Sequence, residues 1–164
     1  MRKSSYRTAT ERGRFFRYAP LILWIGVVLF ASTNGASMSK TSIFVRPVLE
    51  FLFPNTPEDV LLVYHHYIRK AAHLAEYAIL AYWAVRAFSD SAVDFLKNHS
   101  YICAVLLVVL IALIDETNQS FNPLRTGSPW DVLVDICGAL LMISLIEIYK
   151  FIFPKRRQYE RFRR

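Results

Sequence analysis

Apolar residues along this chain fall into long blocks separated by charged stretches. The main blocks are Pro20 to Ala31, Tyr77 to Val85, Tyr101 to Ile114 and Val132 to Phe153. Apolar residues gathered in such blocks, with the charged residues between them, are the pattern of an integral membrane protein. The expected fold class is all-α, an integral membrane protein with about four transmembrane helices.

Each block has its own margins. Aromatic and apolar residues from Phe15 onward lengthen the first, with Tyr18 placed to anchor at an interface and Trp24 inside the run. A basic segment, a short apolar run and small residues from Ala31 to Ser37 also fit a secretory signal peptide. A retained first helix is the expectation, and either way the next segment lies outside. A weaker piece, Ile43 to Phe53, is interrupted by Arg46, Pro47 and Glu50. It is short of the roughly 20 residues a crossing needs, so it is expected to lie in the interface, the alternative being that it folds back partway. Thr56-Pro57-Glu58-Asp59 has the form of a helix start, with Thr56 as cap and Pro57 in the first helical position. From there a helix can run to Phe88, about 48 Å at about 1.5 Å per residue, so its first turns should stand outside or bend.

Ser89 to Ser100 is a polar turn. The block from Tyr101 to Ile114 gives only about 21 Å, so its helix should continue into Asp115 to Gln119 or the bilayer should thin there. In the last block Asp131 and Asp135 stand one turn apart and Gly138 continues their stripe. A glycine there would let a neighbouring backbone come close.

Composition agrees with the pattern: 54% of the 164 residues are hydrophobic, in a chain with room for one domain. The net charge of +7 could point to nucleic acid, but the basic residues sit mostly in the two ends, beside apolar runs. Of the 20 bases, 13 lie in Arg2 to Arg17 and Lys150 to Arg164, two in the expected inner turn region (Arg86, Lys97) and five on the expected outer side. That asymmetry predicts both termini in the cytoplasm and excludes nucleic acid as the better reading. The expected organisation is a basic tail over 1–17, a transmembrane domain over 18–153 and a second basic tail over 154–164. Cys103 and Cys137 fall in different helices at opposite expected ends, so both read as small apolar residues rather than a disulfide.

The candidate chemistry gathers on the outer side. Lys70, His73 and Glu76 drift by only about 60° per step and share a face of their helix. Asp115 and Glu116 end the charge-free block, with Gln119 one turn on and Arg125 beyond. Four helices with both ends inside bring Arg69, Lys70, His73, Glu76, Asp115, Glu116, Gln119, Arg125, Asp131 and Asp135 to one level. Three bases then face five acids. A partly buried surplus must be met by protonation, by a cation or by a cationic ligand group. Ionisable groups in or beside a bilayer mark functional sites by default.

The binding candidates are thus Lys70, His73, Glu76, Asp115, Glu116, Gln119, Arg125 and Asp131, and the acid and base candidates His73, Glu116 and Asp115. No resident cofactor or metal is expected, since a paired motif such as H-E-x-x-H is missing. A divalent ion held by His73, Glu76 and the Asp115/Glu116 pair stays open. His65 and His66 point about 100° apart, and only His66 continues the stripe toward Lys70 and His73. No G-x-S-x-G elbow, P-loop or dinucleotide fingerprint occurs.

Lys70-x-x-His73-x-x-Glu76, then Asp115-Glu116-x-x-Gln119-x-Phe121-x-Pro123-x-Arg125, then Asp131 and Gly138, resembles the VanZ-like family of bacterial membrane proteins. The resemblance is close over about Ile68 to Leu141, with Asp135 where the family pattern has asparagine. The family's name comes from association with glycopeptide resistance, chiefly to teicoplanin. The resemblance implies a cell-envelope role in the bacterial cytoplasmic (inner) membrane and no established reaction. The expected function is therefore an outward-facing pocket that binds an envelope lipid, cell-wall precursor or lipidated glycopeptide and so affects susceptibility. The alternatives are a membrane-embedded enzyme using carboxylate and histidine acid-base chemistry on a lipid-linked substrate, and a cluster that only holds helices together.

Overall fold

The computed structural model describes residues 3–32, 38–120 and 129–153, and all of its regular structure among these is helical. Six helices follow one another: α1 (Lys3–Ser32), α2 (Met38–Leu52), α3 (Glu58–Ser89), α4 (Asp94–Asn98), α5 (Ser100–Ser120) and α6 (Pro129–Ile152). Among the described residues three stretches are long and apolar enough to cross a membrane: Phe15–Ser32 in α1, Ser100–Ser120 in α5 and Trp130–Ile152 in α6. This is the pattern of a multi-pass membrane protein. α3 has the length, at 32 residues, but His73, Glu76 and Arg86 dilute its apolar half.

α3 is the hub, packed against α1, α2, α5 and α6. Side-chain bonds fix the register. Trp24 Nε1 donates to the Glu76 carbonyl at 2.9 Å, and Tyr18 OH donates to Ser91 Oγ at 2.8 Å, so α1 runs opposite to α3. Ser32, at the far end of α1, donates to the Asp115 carbonyl at 3.4 Å. α5 also runs opposite to α3, from Ser100 beside Ser89 to Asp115 beside Tyr77. α6 runs parallel to α3, since Lys70 meets Asp131 and His73 meets Asp135. At its other end Glu147 and Lys150 meet Tyr101.

The seams between helices are lined by small residues. Ala81, Ala84, Ala87, Ala104, Ala112 and Ala139 are fully buried around Tyr77, Leu80 and Val108. Small side chains let helices approach in an environment where burial of apolar surface gives little net drive. Gly138 is the extreme case, because a Cβ there would run into the carbonyl oxygen of Leu74 and lie 3.1 Å from its carbon. The expected close approach at Gly138 is thus an α3–α6 contact. Polarity is inverted relative to a water-soluble domain: Leu23, Phe30, Leu106, Leu110, Leu145 and Ile148 are exposed, whereas Asp115, Asp135 and Gln119 are buried.

Some boundaries differ from those read in the sequence. The weak apolar piece falls almost wholly within α2, which starts earlier, at Met38, and has 15 residues with Pro47 inside it; at about 22 Å the helix still falls short of a bilayer core. Arg46 on α2 bonds Glu50 at 2.7 Å and reaches Glu58 at the start of α3 at 3.1 Å. The Glu50 bond and the Glu58 charge hold the guanidinium above its ordinary pKa. Pro57, not Thr56, is the cap of α3, which therefore starts one residue later than expected; just before it Asn55 takes a left-handed turn with φ 68°. The polar turn contains α4, with Val93 before it. The continuation of α5 to Ser120 is as expected. Phe121, Pro123, Arg125 and the tail over 154–164 lie outside the described residues.

Candidate functional site

Three helices deliver three side chains to one point. α3 supplies His73, α5 supplies Asp115 and α6 supplies Asp135. His73 Nδ1 lies 3.5 Å from Asp135 Oδ1 and 3.9 Å from Asp115 Oδ2. One ligand-capable atom from each of the three falls within 4.8 Å of the others. Asp115 is 2% exposed and Asp135 0%, so the two carboxylates sit in the protein interior.

The two acids are held differently. Both oxygens of Asp115 accept hydrogen bonds, Oδ2 from Tyr77 OH at 3.1 Å and Oδ1 from Gln119 Nε2 at 2.9 Å. Gln119 is oriented in turn, since its Oε1 accepts from Arg69 Nη2 at 3.3 Å. The i, i+4 spacing of Asp115 and Gln119 on one helix makes their bond local. Among the described residues neither oxygen of Asp135 accepts a hydrogen bond, and His73 Nδ1 has no hydrogen-bond partner. Burial without such partners is costly, so this part of the cluster calls for a proton, an ion or a ligand.

A cavity of about 170 Å³ opens beside His73 and Asp115, between α1, α2, α3 and α5. Val28, Ala31, Val45, Ile68 and Ala72 form its apolar wall. His65, Arg69, Glu76 and Ser32 join His73 and Asp115 as its polar lining.

The structure joins some of the expected site residues and separates others. His73, Asp115 and Gln119 come together, and Glu76 borders the same cavity. Lys70 and Asp131 form their own ion pair on the α3–α6 side, near His66 and Arg69, with Lys70 31% and Asp131 24% exposed. Glu116 is buried, but its position one residue after Asp115 turns it about 100° away. Arg125 lies outside the described residues.

Two members were not singled out in the sequence. Tyr77 opens an apolar run, yet it is one turn after His73, and a buried tyrosine hydroxyl needs a partner. That spacing was the available signal. His65, rather than His66, is buried at the cavity. Its i, i+4 relation to Arg69, another cavity residue, was the corresponding signal. Asp135 was visible as an extra charge one turn after Asp131, but its complete burial required the α3–α6 contact.

A model of the VanZ/LLP1 family matches residues 17–154. No curated protein and no solved structure matches the chain.

Proposed function

We propose, from the premise that this chain belongs to the VanZ/LLP1 family, that it binds an amphiphilic envelope molecule in the cavity between α1, α2, α3 and α5. The observation that carries this reading is the cavity's mixed lining, apolar at Val28, Ile68 and Ala72 and polar at Arg69, His73, Glu76 and Asp115. An acyl or prenyl segment suits the first set. A headgroup with anionic and hydroxyl oxygens suits the second, through Arg69 and the acids.

Size narrows the ligand. The cavity of about 170 Å³ is smaller than the roughly 300–1,000 Å³ of a drug-sized pocket. A lipid headgroup or part of a lipid-linked wall precursor fits. A whole lipidated glycopeptide does not, so an effect on teicoplanin susceptibility would follow from the lipid or precursor that the protein holds.

In this reading α3 is a fourth span, because it lies along three membrane-length helices and turns its polar side toward them. The protein then resides in the bacterial cytoplasmic membrane with both termini inside and the cavity near the outer face.

A second reading is catalysis on the bound molecule. It is favoured by the imidazole of His73 standing 3.9 Å from Asp115 and 3.5 Å from Asp135. His73 with Asp115, which borders the cavity, would move a proton to or from the substrate. Glu116 points elsewhere and is the weaker candidate.

The test is mass spectrometry of lipids bound to the purified protein and of envelope lipids in cells. Cells lacking the protein would be compared with cells expressing it, Ala72→Phe or His73→Gln. A lipid that co-purifies with the unmodified protein and is lost from Ala72→Phe supports binding. Equal co-purification with Ala72→Phe removes the cavity as its site. A cellular species that needs both the protein and His73 makes it an enzyme.

A further inference from the structure

We propose that His73, Asp115 and Asp135 hold a first-row divalent transition metal such as zinc. The inference deepens the ligand-site reading, since it places the ion where the cavity meets the interior, but the trio's geometry stands without any organic ligand.

The donor set is one imidazole nitrogen and two carboxylates. Magnesium and calcium favour all-oxygen shells, whereas a mixed nitrogen and oxygen set suits zinc, manganese, iron or cobalt. Donors about 2.0–2.1 Å from a tetrahedral centre stand about 3.4 Å apart. His73 Nδ1 is 3.5 Å from Asp135 Oδ1 and 3.9 Å from Asp115 Oδ2, with all three donor atoms inside 4.8 Å. Small side-chain rotations would close that cage on an ion.

A cluster of acids alone would not argue for a metal, but Asp135 adds an independent observation. Its side chain is 0% exposed, it points at the imidazole, and among the described residues neither of its oxygens accepts a hydrogen bond. Metal coordination would satisfy those lone pairs, as it would His73 Nδ1. Formal charge agrees, because two acids outnumber the single imidazole beside them. The nearby donors Tyr77 and Gln119 are neutral, and Lys70 is engaged by Asp131.

The surroundings resemble a supported metal site. Tyr77, Gln119 and, behind it, Arg69 orient Asp115, the kind of outer layer that fixes a ligating carboxylate. Three protein donors leave coordination positions free. His73 and Asp115 border the cavity, so an open position would face it, where a phosphate or water oxygen could bind. Catalytic zinc sites share this division of three protein ligands and one exchangeable position.

The full-length protein, purified in detergent without chelator, would be equilibrated with zinc, manganese or magnesium chloride, dialysed and measured by elemental mass spectrometry. Asp135→Asn, His73→Gln and Glu147→Gln would be treated alike, with circular dichroism to confirm helix content. Roughly one zinc or manganese per chain is expected in the unmodified protein and in Glu147→Gln, with at least a tenfold weaker affinity in the other two. Absence of stoichiometric metal from the unmodified protein overturns the proposal, as does undiminished affinity in a folded Asp135→Asn. Because the readout is metal content, failure here leaves the cavity's ligand to be decided by the lipid measurements.

Discussion

Gly138 of α6 lies against the backbone of Leu74 on α3, so closely that a Cβ at 138 would meet the Leu74 carbonyl oxygen. Leu74 follows His73, and Gly138 lies three residues after Asp135. The backbone contact therefore helps set the 3.5 Å separation of His73 Nδ1 and Asp135 Oδ1. Gly138→Ala should force the two helices apart and cost about 1–3 kcal/mol of stability, the usual scale of overpacking. Its melting temperature in detergent should fall more than that of Gly26→Ala, whose added Cβ meets nothing within 4 Å. Equal effects of the two would show that the α3–α6 contact does not restrain the helices.

Much of this arrangement could be read from the chain, for a physical reason. Apolar blocks and basic tails report the solvent each segment faces, so α1, α5, α6 and the all-helical class were legible. The membership of the cluster was only half legible. His73 and Asp115 stood out because ionisable groups are rare beside apolar runs. Tyr77 and Asp135 owe their roles to which side of α3 faces α5 and which faces α6, and that depends on contacts between helices. Lys70 shows the converse: it shares a helical stripe with His73 and Glu76, yet it is drawn to Asp131 on α6.

Tyr77→Phe removes the donor to Asp115 Oδ2 while leaving the ring in place. Asp115 then keeps the Gln119 bond alone. Leaving a buried acceptor short of one hydrogen bond should destabilise the protein by about 1–3 kcal/mol. Thermal unfolding in detergent measures this. If Tyr77→Phe matches the unmodified protein while Gln119→Leu is destabilised, Gln119 rather than Tyr77 holds the carboxylate.

The Lys70–Asp131 pair sits between surface and interior, so neither the weak nor the strong limit applies. A double-mutant cycle of Lys70→Met and Asp131→Asn should return a coupling of about 1–2 kcal/mol in favour of the pair. Unfolding of the four proteins at two ionic strengths checks this, and the coupling should fall only slightly with salt because the pair is mostly shielded. A coupling near zero would free Lys70 for a role at the ligand site.

The directions of the helices make the last prediction. α1 and α5 both run opposite to α3, and α6 runs parallel to it, as the contact pairs Tyr18–Ser91 with Trp24–Glu76, Ser89–Ser100 with Tyr77–Asp115, and Lys70–Asp131 with His73–Asp135 require. If α1, α5 and α6 cross the bilayer, α3 has the same extent among them and should cross with them. Its polar residues are tolerable there because they meet other helices and a cavity rather than lipid. Reporter fusions after Asn55, Ala92 and Thr126 test the crossing directly. The fusions after Asn55 and Thr126 should report the outer side and the fusion after Ala92 the cytoplasm. Asn55 and Ala92 on one side would mean that α3 does not cross. A cytoplasmic report after Thr126 would instead turn the His73–Asp115–Asp135 cluster toward the cell interior, and with it the class of lipid the cavity can reach.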